Sequence, residues 1–255
     1  MIALASDFDG TLFFDKEGFE FKEEDIKAIS RFQDAGHLFG ICTGRPLIGI
    51  REPVKERIHF DFYIVSSGAV ILDRDLQVID EKCLSREVLN HIYEDFKDVC
   101  RVAVQANQKI YSFHGLIPMP IKQDIISSPD EIIGDELYGL SLETDNEEKA
   151  FQVCQRIQEK YGDFVDAYQN IRYVDVVSKG CSKGLAIQNF IQKDHIDLMG
   201  GIGDSYNDLP MLEVVDEAFT FHHSPEVVKK SADHLVDSVA QAIDILMASY
   251  ENKNK

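Results

Sequence analysis

Three short apolar runs in this chain break off into polar, turn-forming residues. IALA at 2–5 leads into Asp7-Phe8-Asp9-Gly10-Thr11, HLFGIC at 37–42 into Thr43-Gly44-Arg45, and LMGGI at 198–202 into Gly203-Asp204-Ser205-Tyr206-Asn207-Asp208. Runs of this length and character read as short buried strands. Between them lie helical periodicities. Ile26, Ile29 and Phe32 share one face over 22–36, with Gly36 as the stop. Residues 46–58 predict a second helix, interrupted or kinked by Pro53. A strand follows at 61–67, then a hairpin over 69–82 turning at Asp73-Arg74-Asp75. Beyond residue 181 the same rhythm predicts helices over 182–192, 225–233 (opened by Pro225) and 238–250, with a strand at 217–223. Strands alternating with helices specify an α/β fold with a mostly parallel sheet.

The middle of the chain breaks this rhythm. It predicts an amphipathic helix over 85–98, two strands over 101–113 about Asn107, and an irregular stretch over 114–135 carrying Pro118, Pro120 and Pro129. A strand over 136–144, a helix over 145–163 and a strand pair over 164–178 complete an α+β block. The expected organisation is a discontinuous core, residues 1–82 and 179–255, with a second domain, 83–178, inserted between the halves.

Composition narrows the partners. A length of 255 residues suits one large domain or two modest ones. A net charge of -19 disfavours nucleic acid and anionic membranes, because the long-range field repels them. It leaves room for a small anionic substrate, since a bound cation reverses the sign inside a pocket. No apolar run approaches the roughly 18–20 residues needed to cross a bilayer, and the N-terminus lacks a signal-peptide layout. The five cysteines are odd in number and form no CxxC pair, which predicts free thiols and a cytoplasmic setting. A monomer or a homodimer is expected.

Ligands of open parallel sheets bind outside the carboxyl ends of the strands, so the polar islands can converge there, with Lys183 at the start of the 182–192 helix. Asp7, Asp9, Asp204 and Asp208 would crowd four carboxylates together, a costly arrangement unless a hard cation neutralises it, and Mg²⁺ fits. The cation can hold a phosphoryl oxygen. Thr43, the amides near Gly44 and Lys183 supply donors for the others. One carboxylate can attack phosphorus and another can protonate the leaving oxygen. Each island alone is an ordinary turn or cap; their order, each after a short apolar strand, makes the chemical reading the stronger one.

These motifs resemble those of the haloacid dehalogenase (HAD) superfamily, in particular its Cof-like sugar-phosphate phosphatases. DFDGT at 7–11, TGR at 43–45, Lys183 within SKG and GDSYND at 203–208 match the four family motifs, and LPML (209–212) and SPEVVKKSAD (224–233) extend the match. The resemblance implies a Rossmann-like core with an inserted α+β cap, and a Mg²⁺-dependent phosphatase working through a phosphoaspartate on small phosphorylated metabolites. It implies that Asp7 is the nucleophile and that Asp9 is the acid/base, with its carbonyl on the metal. Thr43 and Gly44 would hold phosphate, Asn207 would help hold phosphate or Lys183, Lys183 would offset charge on the nucleophile and bind phosphate, Asp204 would ligate the metal and Asp208 would support it. Arg45, His114, Lys122 and His223 are candidates for substrate contact. Two departures stand out: Ser67-Gly68-Ala69 where the family often has Asn-Gly-Ala, and His222-His223 where it often has Gly-Asn. A phosphohexomutase and a catalytically idle binding protein on the same core are the alternatives.

Overall fold

In a computed structural model describing residues 1–14, 21–107, 109–113, 115, 122–193 and 195–253, the N-terminal apolar run forms β1 (Ile2–Ser6), buried throughout. It is followed by α1 (Glu23–Asp34), β2 (Leu38–Cys42), α2 (Ile48–Val54), β3 (Phe62–Val65), β4 (Val70–Asp73) and β5 (Val78–Glu81). Next come α3 (Arg86–Phe96), β6 (Arg101–Ala106), β7 (Ile110–Phe113), β8 (Gln123–Ile126), β9 (Leu137–Glu143), α4 (Glu147–Tyr161), β10 (Val165–Asn170) and β11 (Tyr173–Ser178). The chain then continues with α5 (Lys183–Lys193), β12 (Leu198–Ile202), α6 (Leu209–Leu212), β13 (Glu217–Phe221), α7 (Glu226–Lys230), β14 (His234–Val236) and α8 (Val239–Lys253).

The larger sheet runs β14-β13-β12-β1-β2-β3-β4-β5. It is parallel from β14 to β3, and the β4–β5 hairpin adds an antiparallel edge. The chain leaves β1 on one side for β2 and β3 and returns on the other for β12. That reversal of strand order opens a crevice at the carboxyl end of β1. Side chains of β1 alternate between two cores. Ile2 and Leu4 pack with Phe32 and Leu246, whereas Ala3 and Ala5 pack with Ile187 and Met211. Burial on both faces is why the run shows no polar alternation.

The second sheet, β10-β11-β9-β6-β7-β8, is antiparallel except for the β7–β8 pair. Its strands all lie within 101–178. It has its own apolar core, to which α3 contributes Leu89, Ile92 and Phe96, and α4 contributes Ala150, Val153 and Ile157. The α/β class with a mostly parallel core sheet and an α+β block thus stands as expected.

Three local expectations change. The helix expected over 46–58 is confined to Ile48–Val54, because Pro53 cannot continue the ladder and Lys55 turns at φ 49°. The helix expected over 225–233 stops at Lys230, and His234–Val236 joins the sheet edge beside β13. The stretch 114–135 is not wholly irregular: it contains β8 and a 3₁₀ turn, Pro129–Glu131, capped by Ser128. All five cysteines are free. Among the described residues no helix is long and apolar enough to cross a membrane.

Candidate active site

Beyond β1, the amide of Asp7 donates to the Ile202 carbonyl at 2.8 Å, carrying the ladder one residue past the strand. Gly10 then turns at φ 79°, and a Cβ there would stand 2.6 Å from Asp204 Oδ2. Glycine lets the loop after β12 close onto the loop after β1. In the second loop Asp208 folds back. Its Oδ2 accepts from the amides of Asp204 and Ser205 at 3.0 and 2.9 Å, and its Oδ1 accepts from Lys183 Nζ at 2.6 Å. Lys183 opens α5, whose first turn is capped by Ser182 Oγ accepting from Leu185 N. The same ammonium donates to Asp7 Oδ1 at 2.6 Å. Lys183, Asp7 and Asp208 are all buried.

Carboxylate oxygens of Asp7, Asp204 and Asp208 lie within 4.8 Å of one another around that single cation. Burial, and then the charge of Asp208, hold Asp7 well above the usual carboxylate range despite the pull of Lys183. The same two causes push Asp204 up to about 7. Burial works against the Lys183 ammonium, but Asp208 and Asp7 outweigh it and keep the proton on. The cluster is short of positive charge, and its donors are hard oxygens. Both features fit a hard divalent cation. Asp208 commits its oxygens to Lys183 and two amides, which leaves Asp7 and Asp204 as the carboxylates to hold the ion. Thr11 Oγ1 steadies Asp204 Oδ1 at 3.2 Å.

After β2, Thr43 Oγ1 accepts from the Arg45 amide at 3.1 Å. The Arg45 guanidinium grips both oxygens of Asp9, at 2.6 and 2.7 Å, and lies 5.0 Å above the Phe8 ring. Its third contact, Nη1 to the Gly49 carbonyl at 3.0 Å, depends on Pro53. In a regular helix the amide of residue 53 would take that carbonyl; proline has none and leaves it to Arg45. The bidentate pair occupies the Asp9 side chain, so only the Asp9 carbonyl is left for a metal. The turn after β3 sits beside this loop. Ser66, Ser67 and Gly68 all have positive φ (49°, 52° and 91°), and Ser67 N donates to the Thr43 carbonyl at 3.0 Å. Serine tolerates this backbone less well than asparagine does.

Asp7, Asp9, Thr43, Gly44 and Arg45 line one side of a cleft of about 350 Å³. The second sheet supplies the other side, including Gln105, Ser141, Tyr173 and Asp175. Gln105 Nε2 donates to the Gly44 carbonyl at 3.0 Å, joining the two sheets. Asp175 is buried, and that burial pushes its carboxyl up to about 6.

The structure therefore gathers Asp7, Lys183, Asp204 and Asp208 into one cluster and sets Asp9, Thr43, Gly44 and Arg45 around the cleft beside it. Asn207 is buried and does not line the cleft, and its Oδ1 is without a partner. Lys122 and His223 are exposed and do not line the cleft; His223 stacks on Phe221. His114 lies outside the described residues. Sequence reasoning missed Asp175 and Gln105. The available signal was a charged residue inside YVDVVS, a run too apolar for an exposed strand.

A family model described as haloacid dehalogenase-like hydrolase matches residues 4–243. The chain is 22% identical over 247 residues to the 5-amino-6-(5-phospho-D-ribitylamino)uracil phosphatase of Bacillus subtilis, covering 94% of this chain and 93% of that protein. Among solved structures it is similar to a haloacid dehalogenase-like hydrolase from B. subtilis, with TM-score 0.84 at 19% identity, over 95% of this chain and 96% of the other. It is also similar to BT4131, a sugar phosphatase of HAD subclass IIB, with TM-score 0.79 at 22% identity, over 96% and 98% of the two chains. With the match spanning nearly the whole sequence and the motif residues converging on one crevice, the chain belongs to the haloacid dehalogenase-like hydrolase family.

Proposed function

We propose that this protein is a Mg²⁺-dependent phosphomonoesterase acting on small phosphorylated metabolites, with sugar phosphates as the leading class. One observation carries the reading: the Asp7 carboxylate, oriented by Lys183, lines a cleft together with Asp9, Thr43 and Gly44. The names of its relatives, a phosphoribityl phosphatase and a sugar phosphatase, support the same class.

In this mechanism an Asp7 oxygen attacks phosphorus, forming an O–P bond as the P–O bond to the alcohol breaks. Asp9, with one oxygen turned away from the Arg45 pair to carry a proton, gives the leaving oxygen that proton and then takes one from the water that attacks the phosphoaspartate. The products are the alcohol and inorganic phosphate, and Asp7 is regenerated. Arg45 steadies the acid, while the Thr43 hydroxyl and the Gly44 amide are donors for the phosphoryl oxygens. Lys183 fixes the rotamer of Asp7 and offsets charge. Asp7 and Asp204 would hold Mg²⁺, together with the Asp9 carbonyl. There the ion would neutralise the carboxylates and the incoming phosphate.

The test is phosphate release from p-nitrophenyl phosphate and a panel of sugar phosphates, with Mg²⁺ and with chelator, for the wild type and Asp7→Asn. The expected result is Mg²⁺-dependent release by the wild type and a loss of several orders of magnitude in the variant. Absence of release from every ester in Mg²⁺, or turnover by Asp7→Asn near the wild-type rate, overturns the proposal. Conversion of a hexose 1-phosphate to its 6-phosphate without free phosphate would indicate the mutase instead.

A further inference from the structure

Gly44 is the point where the two sheets press together. Gln105 donates through Nε2 to its carbonyl, and a Cβ on Gly44 would stand 2.6 Å from Asp175 Oδ2. Both side chains belong to the second sheet, on β6 and β11, and both are only 6% exposed. Ser141, paired in register with Asp175, donates to Asp175 Oδ1 at 3.2 Å. Gln105 Oε1 is buried without a partner. An unmatched buried acceptor is costly, and a donor from a ligand removes that cost.

We propose that Asp175 and Gln105 read the alcohol half of the phosphate ester, accepting hydrogen bonds from its hydroxyl groups, and so select neutral polyol or sugar monophosphates over esters bearing a second anionic group. The proposal rests on the phosphatase reading above and refines its substrate class. Among the described residues of the second sheet that line the cleft there is no lysine, arginine or histidine. Ile110, Ile171 and Tyr173 supply apolar surface for the C–H faces of a polyol. Among the described residues, the cations near the cleft are already engaged: Arg45 by Asp9, Lys183 by Asp7 and Asp208, and Arg172, which donates to Tyr173 Oη at 3.1 Å, by Glu143. A distal carboxylate or phosphate would meet the buried Asp175 carboxylate with no uncommitted cation among the described residues. The elevated titration of Asp175 agrees with an acceptor that lacks a full set of donors.

A matched pair of esters tests this: glucitol 6-phosphate, and 6-phosphogluconate, which carries a carboxylate at the far end. p-Nitrophenyl phosphate serves as the ester without hydroxyls. All assays use the full chain in Mg²⁺. The wild type should favour glucitol 6-phosphate over 6-phosphogluconate by at least about 10-fold in kcat/KM. Asp175→Asn should lower the ratio of kcat/KM for glucitol 6-phosphate to that for p-nitrophenyl phosphate by about 10–100-fold, the range of a hydrogen bond to a charged group. Gln105→Lys, which offers a distal anion a partner, should shift the glucitol-to-gluconate preference toward gluconate by about 10-fold, and it reads the same wall should Asp175→Asn fail to fold. If no ester is hydrolysed, p-nitrophenyl phosphate included, the phosphatase reading itself fails. If that ester is cleaved while the wild type prefers the gluconate, or the folded variants leave both ratios unchanged, the phosphatase reading stands and the assignment of Asp175 and Gln105 is overturned.

Discussion

Replacing Lys183 by methionine keeps the length of the side chain and removes the one cation from a buried cluster of three carboxylates. In the wild type the ammonium contacts Asp7 and Asp208 at 2.6 Å each, and its side chain is 1% exposed. Removing one member of a buried, hydrogen-bonded ion pair costs about 3–5 kcal/mol, mostly because the remaining charge is stranded. Here two contacts go at once, so the upper end is expected, limited by proton uptake. That uptake sets the sign of the pH dependence. The stranded carboxyls bind protons more tightly in the folded variant than in the unfolded chain. The term ν_U − ν_N is therefore negative, and stability falls as pH rises, by about 1.4 kcal/mol per pH unit for each proton held. Urea unfolding of wild type and Lys183→Met in chelator should show a deficit of about 3–5 kcal/mol at pH 8 that shrinks toward pH 5. Excess Mg²⁺ should recover part of it, because a cation between Asp7 and Asp204 replaces the missing charge. A variant as stable as wild type at pH 8 without metal, or a deficit that grows on acidification, would refute this charge balance.

Pro53→Ala restores an amide that competes with Arg45 for the Gly49 carbonyl. It should loosen the grip on Asp9 and lower kcat for sugar phosphates by about 2–10-fold, the worth of one hydrogen bond, with the fold intact by circular dichroism; an unchanged kcat would remove Pro53 from the site. Asp25 accepts from the Ala240 amide at 2.7 Å, and its other oxygen is buried without a partner. Burial raises its pKa, so its charge lowers stability as pH rises through and above the usual carboxylate range. Asp25→Asn keeps the acceptor and removes the charge, so Tm at pH 8 should rise by about 1–3 °C and the gain should fade toward pH 4; a lower Tm at pH 8 would contradict this.

How much the sequence disclosed follows from how local each determinant is. The core strands were readable because Ile2–Ser6 and Leu198–Ile202 are buried on both faces and carry continuous apolar runs. Helix α1 was readable because one face carries Ala28, Ile29 and Phe32, and Gly36 ends it in a left-handed turn. His234–Val236 was not, since three residues carry no period; its place beside β13 comes from pairing. The end of α2 falls four residues short of the expected 58, because the interruption at Pro53 ends the helix at Val54. Its effect is wider, since it frees a carbonyl for a guanidinium eight residues earlier in the chain.

The loop after β1 and Lys183 were legible because each residue stands directly after a recognisable strand or at a helix start. Asp175 and Gln105 were not, because what distinguishes them from ordinary strand residues is the Gly44 loop opposite, brought there only by tertiary packing. With those partners known, the charges around the cleft constrain what can fill it. Arg45 balances Asp9, and Lys183 answers Asp208 and one oxygen of Asp7. Among the described residues short of a partner are the pair Asp7 and Asp204 at one end, close enough to share a cation, and Asp175 with Gln105 Oε1 at the other, served by Ser141. The first deficit calls for a divalent ion, which in turn accepts an anion such as a phosphoryl group. The second calls for neutral hydrogen-bond donors and disfavours another anion. On the function proposed above, a phosphate monoester of a polyhydroxylated alcohol would meet both demands with one molecule, its reacting bond falling between the two ends, beside Asp9.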